Sequence, residues 1–283
     1  MTHNHILVFS CADRPGIVAH VANHIFAAGG NVLESSQFND ADAGRFFMRV
    51  AFALDGPVVP LRLGLEALAA RYGWTWTLRA SSERQRVLIL VSKFDHCLVD
   101  LIYRQRIGEL EMDIAGIVSN HPSSTFERLD LRDIPFHHLP VTAATKVVQE
   151  TQVWALHRRL RADLVVLARY MQILSDDLAA KFSGRCINIH HSFLPGFKGA
   201  KPYHQAHARG VKVIGATAHY VTGELDEGPI IEQDVERISH ADSPEDLIRK
   251  GRDIERRVLS RAVGLHLSGR VLANGSRTVV FRD

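Results

Sequence analysis

The chain has 283 residues, of which 46% are hydrophobic and 23% charged; these ordinary globular proportions exclude a disordered or fibrous protein. No apolar run approaches the roughly 18 residues that a membrane span needs, and the amino terminus is not expected to be a signal peptide. The net charge of +3 permits a small anionic substrate without indicating nucleic-acid binding, and three widely spaced cysteines favour a reducing cytoplasm over a disulfide framework or a cysteine zinc site.

A polar stretch divides the chain into two predicted domains. Residues 79–86 (RASSERQR) precede Val87–Val91, a continuous apolar run that is typical of a strand buried on both faces. Two domains also agree with the usual length of about 150 residues per domain. We place the boundary after residue 82, which predicts domains over residues 1–82 and 83–283.

The first domain is predicted to follow the order β-α-β-β-α-β. Apolar residues recur at helical spacing over residues 17–28 and again at Leu61, Leu65 and Leu68. Strands are predicted over residues 6–10, 32–39, 45–53 and 74–78. This order is the split β-α-β arrangement of ferredoxin-like folds.

The loop after the first predicted strand contains Asp13, Arg14, Pro15 and Gly16. This loop and the order of elements resemble the ACT domain over residues 5–80. The resemblance implies a regulatory module that binds an amino acid, such as glycine or methionine, near these four residues, and a chain that forms a homo-oligomer. A purely structural dimerisation domain is the alternative, because a fold alone does not fix a function.

The second domain is predicted to be a Rossmann-like α/β domain. Strands and helices alternate, which implies a mainly parallel sheet with helices on both faces. Strands are predicted over residues 87–91, 113–119, 136–139, 163–168, 186–190, 213–221 and 229–236. Helices are predicted over residues 98–107, 143–160, 175–182 and 244–267, before a final hairpin around Asn274-Gly275.

Two polar side chains share one face at the end of a predicted strand. Because side chains alternate along a strand, Asn188 and His190 point the same way. The carboxyl end of a parallel strand is where open α/β sheets bind ligands. Taken alone, the pair is better explained as a polar strand end that packs a loop.

A second motif supports a functional role for Asn188 and His190. Residues 215–231 (GATAHYVTGELDEGPII) place Asp226 on a glycine-flanked loop between two predicted strands. Together with residues 188–199 (NIHHSFLPGFKG), this motif resembles the formyltransferases that use 10-formyltetrahydrofolate, over residues 87–283. The resemblance implies that Asn188, His190 and Asp226 are catalytic.

These residue types suit chemistry at a formyl group. Attack on the formyl carbon creates an oxyanion, which the amide of Asn188 is suited to stabilise. The imidazole of His190 is suited to move a proton to the leaving N10 nitrogen. Asp226 would orient that imidazole and favour its charged form.

The resemblance also implies a folate pocket. Most of its expected contacts come from the segment after the predicted strand over residues 163–168 and from the start of the Asp226 loop. The remaining two come from the side on which an acceptor would bind. The expected contacts are Arg169, Met171, Gln172, Ile173, Leu174, Tyr220, Val221, Phe94 and His138. For the apolar members, an ordinary helix start packed on the core is the alternative.

The loop over residues 92–97 (SKFDHC) helps to decide between formyl transfer and hydrolysis. Family members that accept nucleotides carry a glycine-rich loop here, whose backbone amides hold a phosphate, whereas this loop has no glycine. An ACT-like front end joined to this back end is the arrangement of the hydrolytic branch of the family. The resemblance therefore implies hydrolysis of 10-formyltetrahydrofolate to formate and tetrahydrofolate, which supplies formate for one-carbon and purine metabolism.

Two other functions remain open from the residues. The first is formyl transfer to an amine acceptor, and the second is a sensor that binds folate or an amino acid without turnover. The chain has 16 histidines, but His20 and His24, four residues apart, lack the glutamate of an H-E-x-x-H motif, so metalloprotease chemistry is not supported. We expect no metal and no cofactor beyond the folate substrate.

Overall fold

The structure is a computed structural model that describes residues 2–194 and 202–282. The chain folds into two units, one built from residues 2–84, 268–274 and 279–282 and the other from residues 85–267 and 275–278. Among the described helices, none has both the length and the apolar character that a membrane crossing requires.

The first unit has the β-α-β-β-α-β order that the sequence predicts, with strands that extend beyond the predicted limits. Its sheet is antiparallel, with the order β2-β3-β1-β4. Both helices pack their apolar sides on the sheet, as Val21 and Leu65 illustrate with exposures of 1% and 0%. The elements are β1 (Thr2–Ala12), α1 (Ile17–Ala27), β2 (Gly30–Asp40), β3 (Arg45–Asp55), α2 (Val58–Tyr72) and β4 (Thr75–Ala80).

The second unit is a mixed α/β unit in which the predicted strands and helices are found. Besides a short 3₁₀ turn at Ser123–Phe126, its elements are β5 (Gln85–Val91), α3 (His96–Arg106), β6 (Met112–Ser119), β7 (Phe136–His138), α4 (Lys146–Leu160), β8 (Leu164–Leu167), α5 (Asp176–Lys181), β9 (Cys186–His190), α6 (Pro202–Arg209), β10 (Val213–Tyr220), β11 (Ile230–Arg237) and α7 (Pro244–Leu267).

The sheet of the second unit is mainly parallel, as expected. Its order across the described strands is β11-β10-β9-β8-β5-β6-β7, parallel from β9 to β7 and antiparallel at β10 and β11. The order reverses between β5 and β8, because the chain moves outward on one side through β6 and on the other side from β8. Such a reversal opens a crevice at the carboxyl ends of the strands.

The carboxyl-terminal hairpin, β12 (Val271–Asn274) and β13 (Arg277–Val280), departs from the predicted division. Division after residue 82 assigns the tail to the second domain, whereas residues 268–274 and 279–282 pack within the first unit. Arg270 pairs with Glu34 at 2.9 Å, and Asn274 donates a hydrogen bond to Asp40 at 2.6 Å. These polar contacts and the burial of Phe281 hold the tail on the first unit.

Candidate active site

A cavity of about 340 Å³ opens at the carboxyl end of the second unit's sheet, beside the reversal of strand order. Its walls come from the segment after β8, the end of β9 and the loop after β10. The lining residues are Leu167, 169–174, 188–191, His219 and 221–226.

The three residues expected to be catalytic lie together in this cavity. Strand β9 places Asn188 and His190 on one face, and the loop after β10 brings Asp226 to them. The Oδ2 atom of Asp226 lies 3.2 Å from Nδ1 of His190. The arrangement on which the sequence-based interpretation depends is therefore present, while the chemical role of each residue stays a prediction.

Asp226 is held as a carboxylate. Burial would raise its pKa, but the hydrogen bonds and charges of His190 and His219 outweigh burial and hold the pKa well below the ordinary value of 3.8. Its backbone lies in the left-handed region, with φ 58°, a conformation that aspartate tolerates better than most residues. The loop thus aims an ionised carboxylate at two imidazoles.

The two nitrogens of His190 have different environments. An ionised carboxylate only accepts hydrogen bonds, so Nδ1 of His190 carries the proton that it donates to Asp226. The buried Nε2 atom has no hydrogen-bond partner among the described residues. The neighbouring His191 stays neutral at physiological pH, because burial, together with the charges of Arg169 and His190, lowers its pKa to about 4. His190 therefore presents Nε2 as its reactive atom.

His219 is a site residue that the sequence analysis did not select. Its Nε2 atom lies 3.6 Å from Oδ1 of Asp226 and 3.2 Å from Nδ2 of Asn188, and its Nδ1 donates to the carbonyl of Tyr220 at 2.9 Å. Register explains the contact, since His219 pairs with Asn188 across the antiparallel strands β9 and β10. The histidine within residues 215–231 was visible, but its partner depends on a strand pairing that the sequence does not reveal.

Most of the expected folate contacts line the cavity. They are Arg169, Met171, Gln172, Ile173, Leu174 and Val221. Met171 and Ile173 are 52% and 59% exposed, which a helix start packed on the core would not be. The wall is fixed in place by Ser92, whose hydroxyl accepts the Met171 N–H at 2.9 Å and donates to Asn120 at 2.7 Å.

Three expected contacts do not line the cavity. Tyr220 is buried, and its hydroxyl bonds to Nδ1 of His266 in α7 at 2.7 Å, so its side chain faces α7. Phe94 is half-exposed on the loop after β5, with its ring centroid 5.9 Å from the guanidinium carbon of Arg169. His138 lies at the end of β7. Residues 195–199 of the first motif lie outside the described residues.

One cluster near the cavity has the composition of a metal site. His96, Cys97 and Glu255 bring potential ligand atoms within 4.8 Å of one another. However, the Glu255 carboxylate already holds Arg169 and Tyr203, and burial raises the pKa of the Cys97 thiol well above its usual value. A protonated thiol and a competing guanidinium do not fit a cation.

The residues expected to regulate the chain lie in the first unit. Asp13, Arg14, Pro15 and Gly16 form an exposed turn between β1 and α1. Asn39 donates a hydrogen bond to Asp13 at 2.6 Å, and Gly16 has φ 89°. The turn is therefore ordered by local contacts.

Comparison with known proteins identifies the family. Residues 85–263 match the formyl transferase model. Formyltetrahydrofolate deformylases from Synechocystis sp. and Corynebacterium sp. are 51% and 47% identical, the alignments covering 97% and 98% of both chains. The crystal structure of the formyltetrahydrofolate deformylase from Burkholderia mallei is 51% identical with a TM-score of 0.95, over 99% of this chain and 100% of that one. The chain therefore belongs to the formyl transferase family and, within it, to the formyltetrahydrofolate deformylases.

Proposed function

We propose that this hydrolase cleaves 10-formyltetrahydrofolate to formate and tetrahydrofolate in the cavity bounded by Asn188, His190 and Asp226. The observation that carries the proposal is the state of His190. Its Nδ1 is held by an ionised carboxylate, and its Nε2 is buried without a protein partner. An imidazole set in this way is suited to take a proton from water and to return it to a leaving nitrogen.

The steps follow from the positions of the donors and acceptors. His190 Nε2 removes a proton from water, and the water oxygen bonds to the formyl carbon. The amide of Asn188 donates an N–H to the resulting oxyanion. The N10–carbon bond then breaks, and the proton on Nε2 passes to N10. Asp226 stabilises the imidazolium that exists between the two transfers.

Hydrolysis is tested with the substrate alone. The purified chain should release formate and tetrahydrofolate in equal amounts from 10-formyltetrahydrofolate in a buffer without amines. His190→Ala and Asp226→Asn should each lower this rate by about 10²–10⁴ with an unchanged circular dichroism spectrum. Formate or a formylated product that appears only with an added amine would indicate a transferase, and tight binding without turnover would indicate a sensor.

We further propose that the first unit is an ACT-type regulatory module of a cytoplasmic homo-oligomer. Support comes from its element order and from the exposed turn at Asp13–Gly16; the free cysteines agree with a reducing compartment. Glycine or methionine should change the rate of formate release, and Asp13→Ala should weaken that response. Asp42→Ala, in the turn between β2 and β3, is the matched control, and an identical response in all three proteins would contradict the assignment.

A further inference from the structure

A buried carboxylate beside the cavity has no part in the mechanism above. Glu255 in α7 is 1% exposed. Its Oε2 atom accepts a hydrogen bond from Nε2 of His96 at 2.8 Å and lies 3.3 Å from Nε of Arg169, while Oε1 accepts from the Tyr203 hydroxyl at 2.7 Å. One carboxylate thus ties together the start of α3, the segment after β8 and α6.

Glu255 is charged in this setting. Burial alone would raise its pKa, but the hydrogen bond from His96 and the charge of Arg169 outweigh burial and hold the pKa below its usual value. Separating a buried ion pair leaves a desolvated charge without a partner, which is strongly unfavourable. The pair therefore keeps Arg169 in one position.

Arg169 connects this cluster to the cavity wall. It lines the cavity, and its side chain is only 10% exposed. Its backbone is left-handed, with φ 63°, which arginine rarely adopts. The side chain is turned towards Glu255 and the Phe94 ring, and its buried Nε atom is held to Glu255 by charge, without a hydrogen bond among the described residues.

Arg169 lies at the β5 side of the cavity. The carbonyl of Arg169 accepts from the N–H of Ser92 at 3.2 Å, across the point where the strand order reverses. Phe94 and His96 follow Ser92 on the same loop and reach Arg169 and Glu255. The crevice next to the reacting centre is therefore occupied on the β5 side by side chains of this chain.

We propose that Arg169, anchored by Glu255, is a specificity-determining residue that closes the β5 side of the cavity, so that water reaches the formyl carbon and an amine does not. The inference rests on the proposed hydrolysis. It assigns Arg169 to the exclusion of a co-substrate, in place of the folate contact that the sequence suggests. The selection depends on size, since the space beside the held Arg169 side chain favours water over a larger nucleophile.

Opening this wall should permit a second reaction. An amine nitrogen would bond to the formyl carbon, the N10–carbon bond would break, and the proton lost by the amine would pass through His190 to N10. The products would be a formylated amine and tetrahydrofolate. No reactant beyond the amine is needed.

The test measures how the formyl group divides between water and an amine. Wild type, Arg169→Ala and Arg169→Lys are each incubated with 10-formyltetrahydrofolate and increasing glycinamide, and formate and formylglycinamide are both quantified. Arg169→Ala should raise the ratio of formylglycinamide to formate by about tenfold or more, with saturation in glycinamide, whereas Arg169→Lys should resemble wild type. Met171→Ala, which widens the exposed wall of the same cavity, should leave the ratio of formylglycinamide to formate at the wild-type value.

A substitution of Glu255 and the products of each variant complete the test. Glu255→Gln preserves shape but removes one acceptor oxygen and the charge that holds Arg169, so it should raise the same ratio and provides a second route if Arg169→Ala does not fold. A folded Arg169→Ala and a folded Glu255→Gln that still release formate without forming amide would overturn the inference, and so would the loss of both reactions in these two variants. Wild type that releases no formate would instead refute the proposed function.

Discussion

The charge of Asp226 has a consequence for stability against pH. Its pKa in the folded chain lies below the ordinary value of 3.8, so the ionised carboxylate stabilises the fold above that value, and the contribution is lost as the pH falls towards the folded pKa. We expect the difference in unfolding free energy between wild type and Asp226→Asn to shrink as the pH falls below about 4. Urea unfolding at each pH measures it.

Asparagine is the informative replacement at this position. It tolerates the left-handed backbone that residue 226 adopts, so the variant removes charge without adding strain. Glu224→Gln removes a charge from the same loop and serves as control. A difference that stays unchanged to pH 3 would show that the two imidazoles do not hold the carboxylate in its ionised form.

His219 is expected to act by holding other residues of the site in position. It contacts both Asn188 and Asp226, so its loss frees the oxyanion donor and one oxygen of the carboxylate to move. His219→Ala should lower kcat by less than the roughly 10² expected for loss of the oxyanion donor itself, while KM changes little. Steady-state kinetics measure this, with the exposed His240→Ala as a control outside the cavity; a change confined to KM would contradict a positioning role.

At the scale of elements, the loop that carries Asp226 depends on Gly228. A Cβ at this position would lie 1.7 Å from the carbonyl oxygen of Tyr220, at the place where the Tyr220 N–H donates to Pro229 at 2.9 Å. Gly228→Ala must therefore separate the ends of β10 and β11, and we expect a loss of about 1–3 kcal/mol in unfolding free energy. Thermal or urea unfolding measures the loss.

The same loop offers a matched control for that substitution. A Cβ at Gly223 would meet Asp176 at 3.6 Å, an ordinary contact. Gly223→Ala should change the unfolding free energy by no more than about 0.5 kcal/mol. Equal losses in both variants would show that alanine is tolerated equally badly anywhere in the loop and that the close approach of Gly228 is not the cause.

Whether a site residue could be predicted from the sequence depended on which elements its contacts join. Asn188 and His190 were placed correctly because they lie on one strand, where alternation fixes their common face. His219 and Glu255 were missed because their contacts depend on the pairing of β10 with β9 and on where α7 packs. Tyr220 was misplaced for the related reason that its side chain faces His266 in α7. Local periodicity is thus readable, whereas contacts between distant elements are not.

For the whole molecule, the least predictable feature is the chain's return to its first unit. The hairpin around Asn274-Gly275 was expected from its turn residues, but nothing in those residues specifies a surface. The surface is provided by β2 and β3, where Glu34 pairs with both Arg49 and Arg270. A division of the sequence into consecutive domains therefore separates residues that fold together.

Because the tail packs on the first unit, a substitution in the tail should change the stability of that unit. Phe281 is 8% exposed and packs with Leu272 against Phe47 of β3, so Phe281→Ala should cost about 3 kcal/mol of the first unit's stability. Hydrogen exchange followed by mass spectrometry should show faster exchange in β2 and β3, while β8 of the second unit keeps its protection. Ser276→Ala, exposed in the hairpin turn, should leave both patterns unchanged. Faster exchange confined to β8 would mean that the tail supports the second unit, as division after residue 82 implies, and would refute this assignment.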